Sequence, residues 1–328
     1  MRRRTVIRLA GAAAASVLMG RTGESGAAAL RMSPDDRRAR RRIGASLPQA
    51  RLLWVGGGRI YHTRLDHWDP RALTPEGVKA DRPRWSPAGE RIVYGQGREI
   101  WVMDADFSHR RRLLRNAHTA DWTGDGKGVT AIVGGGYQVV LHDLGDGGTR
   151  VIFDARRAPG NGQPVSQAAE LHPRGRYLLM FRERPGHASF VVDLRRGRIL
   201  ANEQMKRGDC APSWSFDGRE IFSTARTADR PIVAAPFDFE SGAIGPSKFL
   251  VGLDSLFRYY AYDARVSADG HWVVFDGKVL IGGAMWGRRE IYIWRRGAPQ
   301  AERVRLTFDD EDDWTPSLYI PVHQISRS

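Results

Sequence analysis

The chain has 328 residues, a net charge of +14 and a single cysteine, Cys210. One cysteine excludes an internal disulfide framework and a cysteine-based zinc site. The charge is concentrated at one end, because residues 1–44 hold 11 arginines, no lysine and three acidic residues, a net charge of +8. The remainder is nearly balanced, which argues against a groove that neutralises many phosphates, so we expect no nucleic-acid partner.

The first residues have the character of an export signal. Residues 1–29 combine a basic start, an apolar run over residues 9–19 and three alanines that offer a cleavage site. Residues 3–8, RRTVIR, resemble the twin-arginine signal. We therefore predict a twin-arginine signal peptide over 1–29 and a periplasmic or secreted protein. The alternative is a cytoplasmic protein whose translation starts at Met32.

A basic segment separates this signal from the rest of the chain. Residues 30–50 include five arginines between Arg37 and Arg42, with no aromatic residue among them. Such a run is typical of a solvated segment, so we interpret 30–50 as a basic linker. Contact of these arginines with anionic lipid or nucleic acid is the alternative. No later run of about 18 apolar residues exists, and we expect no transmembrane segment.

The body of the chain contains a repeat, which decides the fold class. Each copy has an apolar residue, then a Ser, Thr or His, then a turn that ends in glycine, then a strand rich in β-branched and aromatic residues. A spacing of roughly 40 residues with such turns is typical of propeller blades built from four short strands. The turn glycines are Gly89, Gly126, Gly175, Gly218 and Gly270.

Two fragments at the ends of the repeat region complete a sixth blade. Residues 51–74 supply three strands without a first one, and residues 313–318 look like a first strand with nothing after it. We predict an all-β fold, a six-bladed β-propeller of four-stranded blades over residues 51–320, closed by strands from both termini. Residues 321–328 form a tail. Closure removes the free sheet edges that would invite aggregation.

The repeat resembles the TolB-like six-bladed β-propeller family. The residues that carry the resemblance are 85–89 (WSPAG), 100–106 (IWVMDAD) and 305–307 (RLT). The resemblance covers residues 51–320 and implies the propeller fold. It does not specify a function, because such propellers serve binding proteins and also occur in hydrolases and lyases. TolB itself has a further N-terminal α/β domain, for which residues 30–50 are too short.

Motifs for catalysis are absent from the sequence. It contains no G-x-S-x-G elbow, and its nine histidines show no H-x-x-x-H spacing. We therefore predict a monomeric, non-catalytic binding or scaffold protein without a cofactor, whose partner is a protein or a cell-envelope polymer. The alternative is a polysaccharide lyase or glycoside hydrolase with its active site in the channel. Similarity to oligogalacturonate lyases then implies a channel metal ion held by histidines.

A ring of charged residues is predicted near the propeller axis. The residue before the apolar repeat position is charged in five of six copies, and first strands are innermost in a propeller. One interpretation is an ion-pair network between blades, and the other is a channel lining that receives a ligand. The predicted ring consists of Arg84, Asp121, Glu170, Ser213, Arg265 and Asp313.

The loops that enter the first strands are predicted to surround one mouth of the channel. One of them combines an arginine with several tyrosines, a composition that is enriched at binding hot spots. Ordinary packing between blades is the alternative for the tyrosines. The residues predicted to bind the ligand are Asp81, His118, Asp209, Arg258, Tyr259, Tyr260 and Asp263.

Overall fold

The structure is a computed structural model that describes most of the chain after Met32. The predicted signal at 1–29 lies outside the described residues, as does the tail after residue 321. The side chains of residues 203–204, 258–260, 279–281 and 284–287 lie outside them too. The described residues are 32–157, 164–166, 168–182, 188–201, 203–206, 209–227, 230–251, 258–281 and 284–321.

The described residues form two α-helices and twenty-four strands. The helices are α1 (Pro34–Ser46) and α2 (Glu203–Lys206). The strands of the first half are β1 (Arg51–Gly56), β2 (Arg59–Arg64), β3 (Arg71–Ala72), β4 (Ala80–Trp85), β5 (Arg91–Gln96), β6 (Glu99–Asp104), β7 (Arg111–Arg115), β8 (Ala117–Trp122), β9 (Gly128–Val133), β10 (Gln138–Asp143), β11 (Thr149–Asp154) and β12 (Ala169–Leu171). Those of the second half are β13 (Tyr177–Arg182), β14 (Ala188–Asp193), β15 (Arg198–Leu200), β16 (Cys210–Trp214), β17 (Glu220–Thr224), β18 (Ile232–Pro236), β19 (Lys248–Val251), β20 (Arg258–Val266), β21 (Trp272–Ile281), β22 (Ala284–Arg295), β23 (Val304–Arg305) and β24 (Asp313–Tyr319).

The strands form six four-stranded antiparallel sheets, the blades of a propeller. Blades 2 to 6 each use four consecutive strands, β4–β7, β8–β11, β12–β15, β16–β19 and β20–β23. Blade 1 has the order β24-β1-β2-β3, so the last strand lies innermost in the first blade. The register runs from Arg51 opposite Tyr319 to Gly56 opposite Asp313. The prediction of a six-bladed propeller closed by strands from both ends is therefore confirmed.

The hydrophobic core consists of six clusters, and each cluster lies between two neighbouring blades. Between blades 2 and 3, for example, Val93 and Ile100 pack with Val129 and Ala131. Full burial of such a side chain contributes about 1.5–3 kcal/mol, so every blade depends on both of its neighbours. This arrangement holds the six innermost strands at fixed positions around the axis.

The turn after each first strand is held by a side chain of the repeat. The Oγ of Ser86, for instance, accepts a hydrogen bond from the backbone N of Arg91 at 3.0 Å. Thr123, Ser215 and Ser267 make the equivalent bond at 2.9 Å. His172 stabilises its turn differently, because its Nδ1 accepts from the backbone N of Arg174 at 3.0 Å.

Five of the six innermost strands contain a β-bulge at the same place. In four of them the bulge residue lies two positions before the predicted ring position, and in β24 it lies two positions before Ser317. The φ angles of these five residues are positive, between 45° and 52°. Such a conformation is unfavourable for residues other than glycine, so its repetition indicates a constraint of the fold. The strand register shifts at each bulge. The bulge residues are Arg82, Thr119, Ala211, Asp263 and Thr315.

The structure differs from the sequence prediction at the basic linker, where residues 34–46 form helix α1. Ser33 and Asp36 form a capping box, in which each side chain bonds to the backbone N of the other. Ala39 and Ile43 pack against the core cluster between blades 6 and 1. The amphipathic pattern is weak because only these two apolar residues mark the buried side, and the arginines dominate the sequence.

Candidate functional site: a funnel on the propeller axis

A funnel-shaped cavity of 280 Å³ opens on the axis, where the first strands run into their turns. It has three levels, which we name the floor, the wall and the rim. The floor is formed by Arg84, Asp121, Glu170, Arg265 and Ser317. The wall is formed by the next residue of each strand: Trp85, Trp122, Leu171, Trp214, Val266 and Leu318. The rim is formed by Pro87, Gly124, Pro173, Phe216, Ala268 and Ile320.

The floor is an ion-pair network that crosses the axis. Arg265 belongs to blade 6, and its NH1 lies 2.6 Å from Glu170 Oε1 on blade 4 and 3.4 Å from Asp121 Oδ2 on blade 3. Blades 6 and 3 stand opposite each other in a ring of six, so the guanidinium spans the channel. Arg84 Nε on blade 2 adds a contact of 3.8 Å to Asp121 Oδ2.

Every carboxylate oxygen of the floor has a partner. Glu170 Oε2 accepts a hydrogen bond from the backbone N of Trp214 at 3.1 Å, while Oε1 faces Arg265. Asp121 Oδ1 accepts from the backbone N of Trp122 at 2.7 Å, while Oδ2 faces the two arginines. The carboxylates of the floor are therefore paired, which is the condition under which buried charges are tolerated. Arg265 Nε, in contrast, is buried with no hydrogen-bond partner among the described residues.

The electrostatics of the floor follow from its burial. Burial raises the pKa of Glu170 to about 7, although Arg265 opposes the shift. Burial and the neighbouring Arg265 lower the pKa of Arg84 to about 10. Burial also acts against the charged form of Arg265, but Glu170 and Asp121 outweigh it and raise its pKa. Arg265 is thus the cation on which both carboxylates depend.

The wall joins neighbouring blades through its indoles. Trp122 Nε1 donates to the backbone oxygen of Arg84 at 3.0 Å, and Trp214 Nε1 donates to that of Glu170 at 3.1 Å. Above the wall, the ring of Phe216 is 50% exposed at the rim. Sequence reasoning missed Phe216, and the available signal was an aromatic residue at a turn position where other copies have proline, glycine or alanine.

The prediction for the ring is corrected at Asp313, which does not line the funnel. Ser317 pairs with Leu53 in blade 1 as Arg84 pairs with Val93 in blade 2, so Ser317 takes the ring position. Its Oγ accepts a hydrogen bond from the backbone N of Trp85 at 3.2 Å. Ser213 holds its predicted place but points away, and its Oγ donates to the backbone oxygen of Ala264 at 3.0 Å.

Asp313 instead lies at the seam between blades 6 and 1. Its side chain is fully buried, and neither carboxylate oxygen makes a hydrogen bond with the described residues. Burial raises the pKa of Asp313 to about 8, and the nearby Asp309 and Glu290 contribute to the rise. The Thr307 hydroxyl donates its hydrogen bond to Glu290 at 2.8 Å. Glu290 is buried nearby, and burial raises its pKa to about 7. Gly56 leaves room for the carboxyl group, because a Cβ there would lie 2.6 Å from Asp313 Oδ1.

The residues predicted to bind a ligand at one mouth of the channel lie at the opposite end of the first strands, away from the funnel. Asp81 is half exposed, and its Oδ2 lies 3.3 Å from Arg82 Nε. Burial lowers the pKa of His118, and the charges of Arg82 and Arg98 lower it further. Two arginines beside this histidine disfavour a cation site there.

Asp209 and Asp263, two further residues of that predicted binding set, do not form a surface site together. Asp209 is 1% exposed and accepts a hydrogen bond from Ser223 Oγ at 3.0 Å, which corrects its assignment as a binding residue. Burial raises its pKa to about 6. Asp263 is the bulge residue of β20 and favours the charged forms of Arg84 and Arg265.

The remaining predicted residues are only partly placed. Arg258, Tyr259 and Tyr260 belong to the backbone of β20, and their side chains lie outside the described residues. Tyr262, which follows them, is described, and the guanidinium of Arg289 lies 4.9 Å from its ring centroid.

The described residues also bear on metal binding and on membrane crossing. No group of three or more His, Cys, Asp or Glu residues is placed to hold a metal ion in that part of the chain. No helix there has the length and apolar character needed to cross a membrane.

Comparison with known proteins supports the fold. No family model and no curated protein matches the sequence. TolB from Acinetobacter baumannii superposes with a TM-score of 0.60 at 16% identity, covering 82% of this chain and 66% of that chain. The fold resembles that of TolB. A protein assigned as TolB from Agrobacterium tumefaciens gives a TM-score of 0.55 at 13% identity, covering 75% of this chain and 85% of its own.

The TolB-like fold is shared with proteins of other kinds. A chain of a nidogen–laminin complex superposes with a TM-score of 0.54 at 11% identity, covering 83% of this chain and 98% of its own. At such low identities the similarity concerns the fold alone, and the function must be argued from the funnel.

Proposed function

We propose that the protein is an exported, non-catalytic binding protein that receives part of a partner protein in the funnel. The observation that carries the proposal is an ion-paired floor beneath an apolar wall and an exposed aromatic rim residue, Phe216. Apolar pockets with a desolvated centre and an aromatic anchor are typical of protein recognition.

The same floor argues against the glycosidase alternative. A glycoside hydrolase needs two carboxyl groups that face the scissile bond, one as acid and one as base or nucleophile. Glu170 and Asp121 are close enough to share Arg265, and the raised pKa of Glu170 would suit an acid. However, all four of their oxygens already contact protein donors, so a substrate would have to compete with Arg265 and two backbone N–H groups for them.

The size of the funnel favours a protein segment over a polymer. Small-molecule pockets usually measure about 300–1,000 Å³. At 280 Å³ the funnel lies just below that range and suits one or two inserted side chains. A partner that places an apolar side chain against the wall and a polar group over the floor would fit both levels.

Phe216→Asp is expected to abolish retention of the partner, because it places a charge at the apolar rim. The wild-type protein and this variant are immobilised and exposed to a cell-envelope extract, and retained proteins are compared. Phe249→Asp is the matched control, since Phe249 is 56% exposed on the outer strand β19, away from the funnel. Equal retention by wild type and Phe216→Asp would contradict the funnel as the binding site.

Export is expected to fail when the paired arginines are replaced. The Arg3→Lys/Arg4→Lys variant should accumulate in the cytoplasm at full length, because the twin-arginine pattern at residues 3–8 is lost. Fractionation followed by mass measurement tests this. Arg2→Lys/Arg21→Lys makes the same number of replacements outside the pair and should be exported normally. Continued export of the Arg3→Lys/Arg4→Lys variant would contradict the twin-arginine prediction. A wild-type protein found in the cytoplasm with the mass of residues 32–328 would favour translation from Met32.

A further inference from the structure

Helix α1 carries an uncompensated group of arginines on its outward side. Arg37, Arg38, Arg41 and Arg42 are exposed, and we name them the arginine face. They form two like-charged pairs at four-residue spacing, which destabilise a helix. Among the described residues, Asp35 is the acid that forms an ion pair with one of them, Arg38. The fold therefore maintains a dense positive patch that it does not neutralise.

The opposite side of α1 is fixed to the propeller. Ala39 and Ile43 enter the core cluster between blades 6 and 1. The guanidinium of Arg40 lies 4.5 Å from the ring centroid of Trp68, and its NH1 donates to the backbone oxygen of Leu306 at 3.3 Å. These contacts determine which side of the helix faces outward.

The close approach of the helix confirms that its position is specific. Gly44 is buried, and a Cβ at this position would lie 2.3 Å from the backbone oxygen of Leu65. Any larger residue would push the end of α1 off the propeller. The arginine face is thus held in one orientation as a rigid surface.

We propose that the arginine face binds the anionic surface of a phospholipid bilayer. The other exposed residues of α1 are small or polar (Pro34, Asp35, Ala45 and Ser46), so the face offers no aromatic or large apolar anchor. Protein hot spots and single-stranded nucleic-acid sites combine arginine with such anchors. A bilayer of anionic lipid attracts basic residues by charge alone, at about 1 kcal/mol for each residue.

The experiment measures sedimentation of the full-length protein with vesicles. One set of vesicles is one-quarter phosphatidylglycerol and three-quarters phosphatidylcholine, and the other is phosphatidylcholine only. The R37Q/R38Q/R41Q/R42Q variant should bind the anionic vesicles on the order of 1,000-fold more weakly than wild type. The matched control, R111Q/R150Q/R195Q/R198Q, removes four exposed arginines from blades 2 to 4 and should bind within a few-fold of wild type.

Each outcome decides the proposal. Wild-type binding that needs phosphatidylglycerol, weakens at high salt and depends on the arginine face supports it. Absence of wild-type binding, or equal weakening in both quadruple variants, overturns it. Tighter binding of a DNA duplex than of the vesicles, lost in the same variant, replaces it with nucleic-acid binding. If the quadruple variant unfolds, R37Q/R38Q and R41Q/R42Q are each expected to weaken binding about 30-fold. No weakening in either double variant overturns the proposal.

Discussion

Arg265→Met is expected to destabilise the protein by about 3–5 kcal/mol, because it leaves the buried Glu170 without its cation and removes the nearer of two cations from the partly buried Asp121. The guanidinium lies 2.6 Å from Glu170 and 3.4 Å from Asp121, on blades across the channel. For a chain of this size the loss corresponds to a fall in Tm of roughly 6–10 °C. It should be smaller at pH 6 than at pH 8, since Glu170, whose pKa is about 7, takes up a proton as the pH falls.

Two comparisons separate this effect from a general loss of charge. Arg296→Met breaks an ion pair with an equally short contact, 2.6 Å to Glu220. Both partners are about one-third exposed, so the loss should cost about 1 kcal/mol or less. Adding Glu170→Gln to Arg265→Met should recover part of the stability, because it removes one stranded charge. Thermal unfolding at the two pH values provides the measurement. An Arg265→Met protein as stable as wild type at pH 8 would show that the floor does not join the blades.

Asp313→Asn is expected to stabilise the protein at pH 8. The carboxyl group is fully buried without a hydrogen bond to the described residues, and burial raises its pKa to about 8. Between about pH 4 and pH 8 the unfolded chain ionises this group and the folded protein does not, so each pH unit lowers the unfolding free energy by up to about 1.4 kcal/mol. Asparagine does not ionise, and the variant should gain about 2–4 kcal/mol at pH 8. The gain should nearly vanish at pH 4, where the group is protonated in the folded protein and only about half ionised in the unfolded chain.

Asp193→Asn is the control with the opposite sign. Asp193 is also buried, but Arg176 NH2 lies 2.7 Å from its Oδ2 and holds its pKa below the usual value. This contribution is present at neutral pH and is lost as the pH falls through the lowered pKa. Asp193→Asn should therefore destabilise at pH 8, and the difference should shrink in acid. Urea unfolding of both variants from pH 4 to pH 8 tests the pair, and a parallel response would falsify the assignment of Asp313 as a neutral carboxyl.

The propeller could be predicted from sequence because its signal is repeated. Turn glycines, apolar positions and strand composition recur in five copies, and the two end fragments supply what one blade lacks. Four ring positions, Arg84, Asp121, Glu170 and Arg265, follow from the same alignment and do meet on the axis. Periodicity is a property of the chain, so it can be read without knowledge of contacts.

The prediction of Asp313 as the sixth ring residue was wrong because a local sequence in β24 resembles the repeat motif. Trp314-Thr315-Pro316 resembles Trp85-Ser86-Pro87, yet Trp314 is 38% exposed while Trp85 is 8% exposed. The pairing with β1 places Leu318 where Trp85 stands in blade 2. Only the bulges reveal this register, and they use Arg, Thr, Ala and Asp, which carry no turn signal of their own.

The sequence also could not show which end of the channel carries the cavity. The predicted binding residues lie where the first strands begin, while the funnel lies where those strands end. Composition favours a cluster of tyrosine and arginine, but a cavity arises from how six turns are spaced around an axis. Helix α1 was missed for a related reason, since the core that receives Ile43 is built by strands far away in the chain.

The position of β24 has a consequence for the order in which the protein folds. This strand follows the other twenty-three in the chain, yet it forms the innermost layer of the blade that is made first. Since domains fold as they are synthesised, blades 2 to 6 can assemble while the inner edge of β1 still exposes unpaired backbone groups. That edge is vulnerable to pairing with other chains until β24 arrives. Closure of the ring is thus a late event in folding. The contacts between β1 and β24 that close it join residues from the two ends of the propeller sequence.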